Sequence, residues 1–281
     1  MRKIIPILIF QFILLPTFSQ NIKLTGIVTD RQNNPIEYAN VGILNKPIGT
    51  VTKFDGTFSL NLKIENKTDT LRVSNLGFKS QDILIKELTN KAFHKIKLKE
   101  YVEILDEIVI HSKKLKTYTE GKTKTKTKHQ VIFANPELDN INLGSEIGRK
   151  FKLGNDNPSY LKNFKFFIKD NNFDFVKFRI NIYTIENNNP YKKINFKNII
   201  ITTSENYVGW INVDLLPFHI VVREDIIVTV EWIEHSEIGN KLNLPIIIPS
   251  FGSKHYYKFG SQNSWKKYGN ISSSMELEYE Q

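Results

Sequence analysis

The sequence predicts an all-β protein built from two consecutive sandwiches. Short stretches in which apolar and polar residues alternate recur along the chain, and this is the period of a half-buried strand. Residues that favour turns, among them Gly, Pro, Asn and Asp, separate these stretches. No long segment shows the apolar spacing of a helix. The 281 residues are enough for two ordinary domains, each with its own core.

A first sandwich is predicted in residues 20–111. Its strands are expected at IKLTGIVTD, IEYANVGIL, GTVTK, TFSLNLK, DTLRVSNLGF, QDILIK, FHKIKLK and EIVIH. So many short strands in one segment are typical of a sandwich. Asp55 and Gly56 stand between GTVTK and TFSLNLK, and this pair favours the tight turn of a β-hairpin, since both residues tolerate positive φ. We interpret them as a structural turn rather than as a catalytic or metal site.

Residues 112–142 are predicted to be a basic linker. In SKKLKTYTEGKTKTKTKHQ lysine alternates with threonine, so neither face of a strand would have apolar side chains to bury. The formal net charge of the chain is +10, and much of the excess comes from this segment. The segment could attract anionic cell-surface polymer, but it lacks interleaved aromatic residues, and we expect no nucleic-acid partner.

Residues 143–281 are predicted to form a second, antiparallel, jelly-roll-like sandwich. Its strands are expected at NFKFFIK, FVKFRINIYTI, NIIITT, GWINVDL, DIIVTVEWIE, LPIIIP, HYYKF and SMELEYE. In VKFRINIY the alternation places Phe178 and Ile180 on one face and Arg179 on the other. By the same alternation Trp232 is a core residue, whereas Glu231 lies on the opposite face of its strand and is expected to be solvated.

The first 19 residues have the order of a secretory signal peptide. Arg2 and Lys3 precede an apolar run from Ile4 to Leu15, and Thr17–Ser19 gives a small-x-small cleavage pattern. The run is shorter than the roughly 20 residues of a membrane span, so we expect no span after signal cleavage; an uncleaved anchor is the alternative. We predict an exported protein that is periplasmic or associated with the outer membrane, with secretion as the alternative.

The chain contains no cysteine, which excludes disulfides, thiol nucleophiles, Cys-ligated zinc and iron–sulfur clusters. It has no Gly-x-Ser-x-Gly elbow, no phosphate-binding loop and no histidine followed by glutamate at the third position, the pair that a zinc carboxypeptidase needs. We therefore predict a protein that is not an enzyme, without catalytic residues, metal site or cofactor.

One set of residues in the first predicted sandwich follows a known pattern. It consists of Gly26, Pro35, Gly49, Asp55, Gly56, Phe58, Gly77, Phe78 and the LDEIVI of Leu105–Ile110. With these residues the segment resembles the carboxypeptidase-like regulatory domain of Bacteroidota, and the resemblance implies a transthyretin-like sandwich of seven to eight strands. Lys53 stands where that family usually has an acidic residue, which argues against cation binding at this corner.

The resemblance also implies an envelope context, because the same module precedes the plug of TonB-dependent outer-membrane transporters. A transporter barrel of about 22 strands, each of about ten residues, does not fit into the remainder of the chain. The second predicted sandwich instead resembles the C-terminal domain of uncharacterised Bacteroidota proteins that carry this module.

Exposed aromatic rings are the candidate binding groups of the second sandwich. Trp210, Tyr256, Tyr257 and Trp265 are predicted to bind a ligand, since the C–H face of a sugar packs on an aromatic ring. Trp210 is the strongest of these candidates for exposure, because it alternates with Ile211.

These observations predict a non-enzymatic cell-envelope protein that contacts a glycan or an outer-membrane or periplasmic protein, in an oligomeric state that the sequence does not indicate. Two alternatives stay open. A hydrolase would need two carboxylates that face one pocket, with Glu231, Glu234 and Asp214 as candidates. An adaptor of TonB-linked or secretion machinery would act through Leu105–Ile110.

Overall fold

The computed structural model describes residues 21–88, 93–101, 115–134, 142–154 and 157–281. These residues form several β-sheets around two large apolar clusters, so the predicted all-β sandwich class is confirmed. The predicted signal peptide and Leu105–Ile110 lie outside the described residues. The predicted domain boundaries and the jelly-roll-like description stay predictions. Residues 21–101 are called the N-terminal part below, and residues 115–281 the C-terminal part.

The N-terminal part consists of two main sheets and a small third one. The described strands are β1 (Asn21–Thr29), β2 (Asn40–Ile43), β3 (Gly49–Val51), β4 (Thr57–Lys63), β5 (Thr70–Ser74), β6 (Phe78–Lys79), β7 (Gln81–Leu84), β8 (His94–Lys97) and β9 (Lys99–Glu100), with a 3₁₀ helix at Ile64–Thr68 and helix α1 at Ile85–Leu88. The sheet orders are β4-β1-β8, β3-β2-β5-β7 and β6-β9. Strands β1 and β8 are parallel.

Alternation along the strands creates the core of the N-terminal part. In β4 the side chains of Phe58, Leu60 and Leu62 are buried, whereas Ser59 and Asn61 between them are exposed. The three apolar residues pack in one cluster with residues of the facing sheet, including Val41, Leu71 and Val73. Each Å² of apolar surface removed from water contributes about 25 cal/mol, and this is the main stabilising contribution of such a core.

The C-terminal part is a larger stack of antiparallel sheets. The described strands are β10 (Thr117–Lys122), β11 (His129–Ala134), β12 (Glu146–Phe151), β13 (Ser159–Ile168), β14 (Asp170–Asn171), β15 (Val176–Glu186), β16 (Asn189–Lys193), β17 (Ile199–Thr203), β18 (Gly209–Asp214), β19 (Val221–Val222), β20 (Ile226–His235), β21 (Leu242–Ile247), β22 (Lys254–Lys258), β23 (Lys266–Gly269), β24 (Ser272–Ser273) and β25 (Met275–Glu280), with a 3₁₀ helix at Leu216–Phe218.

Three sheets enclose the apolar core of the C-terminal part. One has the order β16-β15-β20-β12-β22-β23, with β17 also paired to β15; the others are β10-β25-β13-β18, with β19, and β11-β21-β14, with β24. Phe178 of β15, Phe166 of β13 and Phe133 of β11 meet in one cluster. Trp232 is fully buried in the same cluster, as its place in the alternation predicted.

The segment predicted as a linker contains two paired strands, so that prediction was wrong for residues 117–122 and 129–134. Strand β10 pairs with β25 in the register Thr117↔Glu280 to Lys122↔Met275, and β11 pairs with β21. Backbone hydrogen bonds stabilise these strands even though β10 has no apolar face. Strand β10 lies at the edge of its sheet, where polar and charged side chains hinder pairing with a further strand.

Among the described residues, no helix is long and apolar enough to cross a membrane.

Candidate functional site

Four charged side chains form a row across the outer face of the sheet that contains β15, β20, β12 and β22. The strand registers pair Arg179 with Glu231, Glu231 with Glu146, and Glu146 with Lys258. The signs along this charge row are therefore plus, minus, minus and plus. Since like charges directly opposite each other destabilise a sheet, the two central carboxylates need donors between and beside them.

Asn181 on β15 supplies the donor between the two carboxylates. Its Nδ2 donates to Glu231 Oε2 at 2.7 Å and to Glu146 Oε2 at 3.1 Å. At one end of the charge row Arg179 donates from Nε and Nη2 to the two oxygens of Glu231, each at 2.8 Å. At the other end Lys258 Nζ donates to Glu146 Oε1 at 2.6 Å. Charge-assisted and bidentate hydrogen bonds of this kind are stronger than hydrogen bonds between neutral groups.

The charge row is buried, which corrects one expectation from the sequence. Glu231 lies opposite Trp232, as predicted, but it is 0% exposed rather than solvated, and Glu146 is 0% exposed as well. The physical reason is that the N-terminal part covers the Arg179 end of the charge row, whereas Tyr183 and Lys258, with Trp265 packed on both, cover Glu146. At the Arg179 end, Tyr38 packs against Ile233, the next outward-facing residue of β20 after Glu231.

The electrostatic surroundings keep Glu231 ionised. Burial alone raises the pKa of this carboxyl, but the positive charges of Arg179 and Lys193 outweigh the burial and hold the pKa well below its usual range. Glu146 is held by neutral donors in addition to Lys258, since it accepts hydrogen bonds from Thr229 Oγ1 at 2.6 Å and from the Tyr183 hydroxyl at 2.9 Å.

The three carboxylates named for the hydrolase alternative do not face one pocket. Glu234 is paired with Lys177 Nζ at 2.7 Å at the boundary with the N-terminal part. Asp214 is exposed, and its Oδ1 accepts a hydrogen bond from the backbone of Leu216 at 3.0 Å. Glu231 belongs to the buried charge row.

The two carboxylates that do lie together are arranged for structure rather than for acid–base chemistry. A general acid needs a pKa near the working pH and must reach the substrate. The pKa of Glu231 is lowered instead, and the hydrogen bonds of Glu231 and Glu146 go to neighbouring side chains of the same sheet. The charge row therefore fixes the outer face of the sheet on which the N-terminal part lies.

Tyr38 is the main polar contact between the two parts. Its carbonyl accepts a hydrogen bond from Arg179 Nη1 at 2.9 Å. Its hydroxyl donates to Glu234 at 2.7 Å and accepts from Lys177 Nζ at 2.9 Å. Tyr38 has φ 52°, which is uncommon for a bulky residue, so these contacts hold a backbone conformation that the residue rarely adopts.

A second contact between the two parts depends on two glycines. Ser261 Oγ donates to the Val41 carbonyl at 2.9 Å. A Cβ atom added to Gly42 would lie 2.6 Å from Ser261 Oγ, and one added to Gly49 would lie 2.5 Å from the same atom. The two parts thus approach each other at distances that only glycine allows.

A cleft of about 390 Å³ opens between the two parts, beside the charge row. Its lining combines cationic and polar side chains with apolar ones: Arg179, Lys192 and Lys193 come from the C-terminal part, and Asn40, Ser74, Leu76 and Phe78 from the N-terminal part. Neither carboxylate of the charge row is among the described residues that line it. The geometry suits a small ligand that carries negative charge and hydroxyl groups.

Lys193 has the most perturbed environment of the cleft residues. Its Nζ lies 3.9 Å from Glu231 Oε2 and 5.7 Å from the centroid of the Tyr183 ring. Burial lowers the pKa of Lys193 to about 8, although the nearby carboxylates Glu231 and Glu146 oppose the shift. Its side chain is still 25% exposed, so a ligand in the cleft can reach it.

The predicted aromatic residues do not form one surface. Trp210 is half-buried on the outer face of the sheet that contains β13 and β18, where its ring packs edge-on against Phe167 at 5.4 Å between centroids. Trp265 is half-buried on the other side of the sandwich and packs edge-on against Tyr183 at 5.8 Å.

The two predicted tyrosines lie in different surroundings: Tyr256 belongs to the small cluster against which Trp265 packs, whereas Tyr257 packs against the main core cluster. Tyr256 is fully buried, and its hydroxyl donates to the Asn188 carbonyl at 3.1 Å. Burial raises the pKa of the Tyr256 hydroxyl to about 12. Tyr257 is half-buried. The binding role of all four aromatic residues stays a prediction.

Asp55 and Gly56 lie at a turn that connects two sheets. The strands beside this turn, β3 and β4, belong to different sheets, so they are not the two arms of a hairpin. Asp55 Oδ1 accepts hydrogen bonds from the amide and the hydroxyl of Thr57 at 2.9 and 2.6 Å, and these bonds lower the pKa of Asp55. Gly56 has φ 75°, and a Cβ there would lie 2.7 Å from the Val28 carbonyl oxygen.

The sequence interpretation missed Arg179, Lys193, Glu146 and Lys258 as site residues. One signal was present: Arg179 and Glu231 have opposite charges and stand on the polar faces of two strongly alternating strands. Glu146 lacked such a signal, because Gly148 and charged residues interrupt any apolar alternation in EIGRKF.

The N-terminal part matches a known family. Residues 24–110 match the model of the CarboxypepD_reg-like domain, which confirms the resemblance seen in the sequence. A curated relative, the TonB-dependent receptor SusC of Bacteroides thetaiotaomicron, is 35% identical over 99 residues. The match covers 35% of this chain and 9% of the receptor, so the chain spans less than a tenth of the length of that relative.

Two solved structures show only weak likeness. The cysteine protease and lectin-like domains of Cwp84, a surface layer associated protein of Clostridium difficile, give a TM-score of 0.36 at 11% identity, over 48% of this chain and 32% of that one. BcpA, the major pilin subunit of Bacillus cereus, gives a TM-score of 0.21 at 11% identity, over 90% of this chain and 69% of that one. Likenesses at this level carry no argument about fold or function.

Proposed function

We propose that this chain is a non-enzymatic protein of the cell envelope that binds an acidic sugar of a glycan in the cleft between its two parts. The observation that carries the proposal is the lining of the cleft. Lys192 and Lys193 supply positive charge from one side, beside the paired guanidinium of Arg179, and Asn40 and Ser74 supply hydrogen-bonding groups from the other.

The family comparison supports the envelope setting. The N-terminal part is a CarboxypepD_reg-like domain, and the curated relative that shares it is named as a TonB-dependent receptor. Neither name describes an enzyme, so both favour a role without catalysis. The predicted signal peptide agrees with the same location.

The functional groups of an acidic sugar match the side chains on both sides of the cleft. Its carboxylate would accept a charge-assisted hydrogen bond from Lys193 Nζ, and its hydroxyls would pair with Asn40 and Ser74. The half-buried ring of Phe78 offers an apolar surface for the C–H face of the sugar. A volume of about 390 Å³ is within the range of small-molecule sites, roughly 300–1,000 Å³.

Calorimetric titration with D-galacturonate and with D-galactose tests the proposal, since the two sugars differ in the carboxylate alone. We expect galacturonate to bind at least about tenfold more tightly than galactose, because each charge-assisted hydrogen bond contributes roughly 1.5–3 kcal/mol. Lys193→Gln should remove most of this difference. Lys197→Gln, a change of the same charge at an exposed residue outside the cleft lining, should leave it unchanged.

The affinity should also depend on pH in a defined direction. Because the pKa of Lys193 is lowered to about 8, its ammonium group loses its charge between about pH 7 and 9, and galacturonate binding should weaken over that range. The Lys193→Gln variant should show no such dependence. Equal affinity for both sugars, or a pH profile that survives the substitution, would contradict the proposed site.

A further inference from the structure

A turn at residues 250–253 exposes apolar side chains at the surface of the C-terminal part. Phe251 is 79% exposed, the largest exposure of any large apolar residue in the described part of the chain, and nearby Ile248 is 48% exposed. Covering such exposed apolar groups with another surface is favourable, because it removes apolar surface from water.

Hydrogen bonds hold this turn in place, so Phe251 is presented at a fixed tip. Within the turn, Ser253 N donates to the Ser250 carbonyl at 3.1 Å, and the two serine hydroxyls lie 2.9 Å apart. Across to the neighbouring strand end, Ser250 N donates to the Asn270 carbonyl at 2.8 Å, and Asn270 N donates to the Ser253 carbonyl at 3.0 Å.

Lysines surround the turn on both sides. One groove is lined by Phe251 together with Lys122 and Lys152. A Cβ added to Gly252 would lie 3.9 Å from Lys152 Nζ, which shows how close this ammonium group is to the turn. A second groove is lined by Ile248 together with Lys124, Lys126 and Lys128.

Carboxylates compensate only part of the positive charge of this surface, and Glu120 is the one that lines the first groove. Arg149 and Lys150 are paired with Glu120 and Asp225, at 2.9 and 2.8 Å. Within the described residues, the other lysines of the two grooves form no ion pair with a carboxylate; these are Lys122, Lys124, Lys126, Lys128 and Lys152.

We propose that this basic surface, formed by those five lysines around Phe251 and Ile248, docks on a lipid bilayer with anionic headgroups. Cations attract anionic lipid within a Debye length, and apolar side chains at the centre of the cationic surface insert into the headgroup boundary. A soluble polyanion would use the lysines alone. The two exposed apolar side chains are what favour a bilayer over such a polymer.

Vesicle co-sedimentation tests this proposal with the full protein. We compare vesicles of phosphatidylcholine with vesicles that contain about 30% phosphatidylglycerol, and we expect binding to the second kind only, weakened by salt. Phe251→Ser should lower the vesicle-bound fraction at least fivefold, and Lys→Gln at residues 122, 124, 126 and 128 together should lower it at least tenfold.

Matched controls come from the N-terminal part. Phe54→Ser removes another exposed phenylalanine, and Lys→Gln at residues 53, 67, 79 and 95 removes the same charge from exposed lysines. Both control variants should bind vesicles as the unmodified protein does. All variants change exposed residues, and thermal unfolding checks that each one is folded.

Two results would overturn the proposal. Equal binding to both kinds of vesicle would show that the lysines do not recognise anionic headgroups. Binding that Phe251→Ser leaves unchanged while the lysine variant loses it would show that no apolar side chain inserts into the bilayer. The second pattern would instead indicate a soluble polyanion as the ligand. Galacturonate binding should be unchanged in Phe251→Ser, so this surface and the cleft are tested separately.

Discussion

Arg179 and Arg72 make the same bidentate contact in very different surroundings. Arg72 bonds both oxygens of Asp82 at 2.7 Å, with side chains 36% and 43% exposed, whereas the side chains of Arg179 and Glu231 are 2% and 0% exposed. Removing one partner of a buried pair leaves an uncompensated charge, and this costs more than the loss of an exposed pair.

We therefore predict that Arg179→Met lowers the free energy of unfolding by about 3–5 kcal/mol, and that Arg72→Met lowers it by less than about 1 kcal/mol. Urea unfolding followed by circular dichroism measures both. The double variant Arg179→Met, Glu231→Gln should recover part of the loss, because it leaves no unpaired carboxylate. Similar losses of unfolding free energy for Arg179→Met and Arg72→Met would show that the charge row is not structural.

At the residue scale, the sequence predicted which face of a strand a side chain occupies but not what covers that face. Alternation placed Trp232 in the core and Glu231 opposite to it, and both placements are correct. The burial of Glu231 depends on Tyr38, nearly 200 residues earlier in the chain, and on a register that brings Arg179 beside it. No local pattern contains such long-range contacts.

At the element scale, the sequence found the strands that show apolar alternation and missed strands that lack it, whether or not those strands bury apolar side chains. Strands β15, β20 and β25 alternate and were predicted. Strand β10 has only exposed or half-buried side chains, and β12 carries Gly148 among charged residues. Backbone pairing with a neighbour stabilises both of these strands, and pairing leaves little trace in composition.

The pairing of β10 with β25 predicts resistance to proteolysis where a linker would be cut at once. Gly121 of β10 faces the partner strand so closely that an added Cβ would lie 2.4 Å from the Met275 carbonyl oxygen. Gly121→Ala should therefore separate the strands and cost about 1–3 kcal/mol. Under native conditions trypsin should cleave slowly after Lys116 and Lys122, at the two ends of the paired strand, in the unmodified protein and several-fold faster in the variant, as followed by mass spectrometry.

Gly269→Ala is the matched control for this prediction. Gly269 ends strand β23, and an added Cβ there meets no atom of the described residues within 4 Å. The control should be cleaved at the rate of the unmodified protein. Rapid cleavage of the unmodified protein after Lys116 and Lys122 would contradict the pairing of β10 and restore the linker interpretation.

At the scale of the whole molecule, the contact between the two parts combines few apolar residues with many polar ones. Tyr38, Val51 and Ile233 form its small apolar cluster. The side chain of Gln262 donates a hydrogen bond to the Ser74 hydroxyl at 2.8 Å. The backbone carbonyl of Gln262 accepts one from the Asn45 amide at 3.0 Å. Polar contacts of this kind depend on close approach, so the contact is sensitive to one added side chain.

Ser261→Leu tests whether this contact builds the cleft. The larger side chain cannot fit against Gly42 and Gly49, whose backbones approach Ser261 at distances that exclude even a Cβ. We expect a single calorimetric unfolding transition in the unmodified protein to split into two in the variant, one for each apolar core, and galacturonate affinity to fall at least tenfold because the lining comes from both parts. Ser264→Leu, at an exposed residue of the same loop, should change neither measurement. A variant that keeps both the single transition and the affinity would show that the two parts do not depend on this contact.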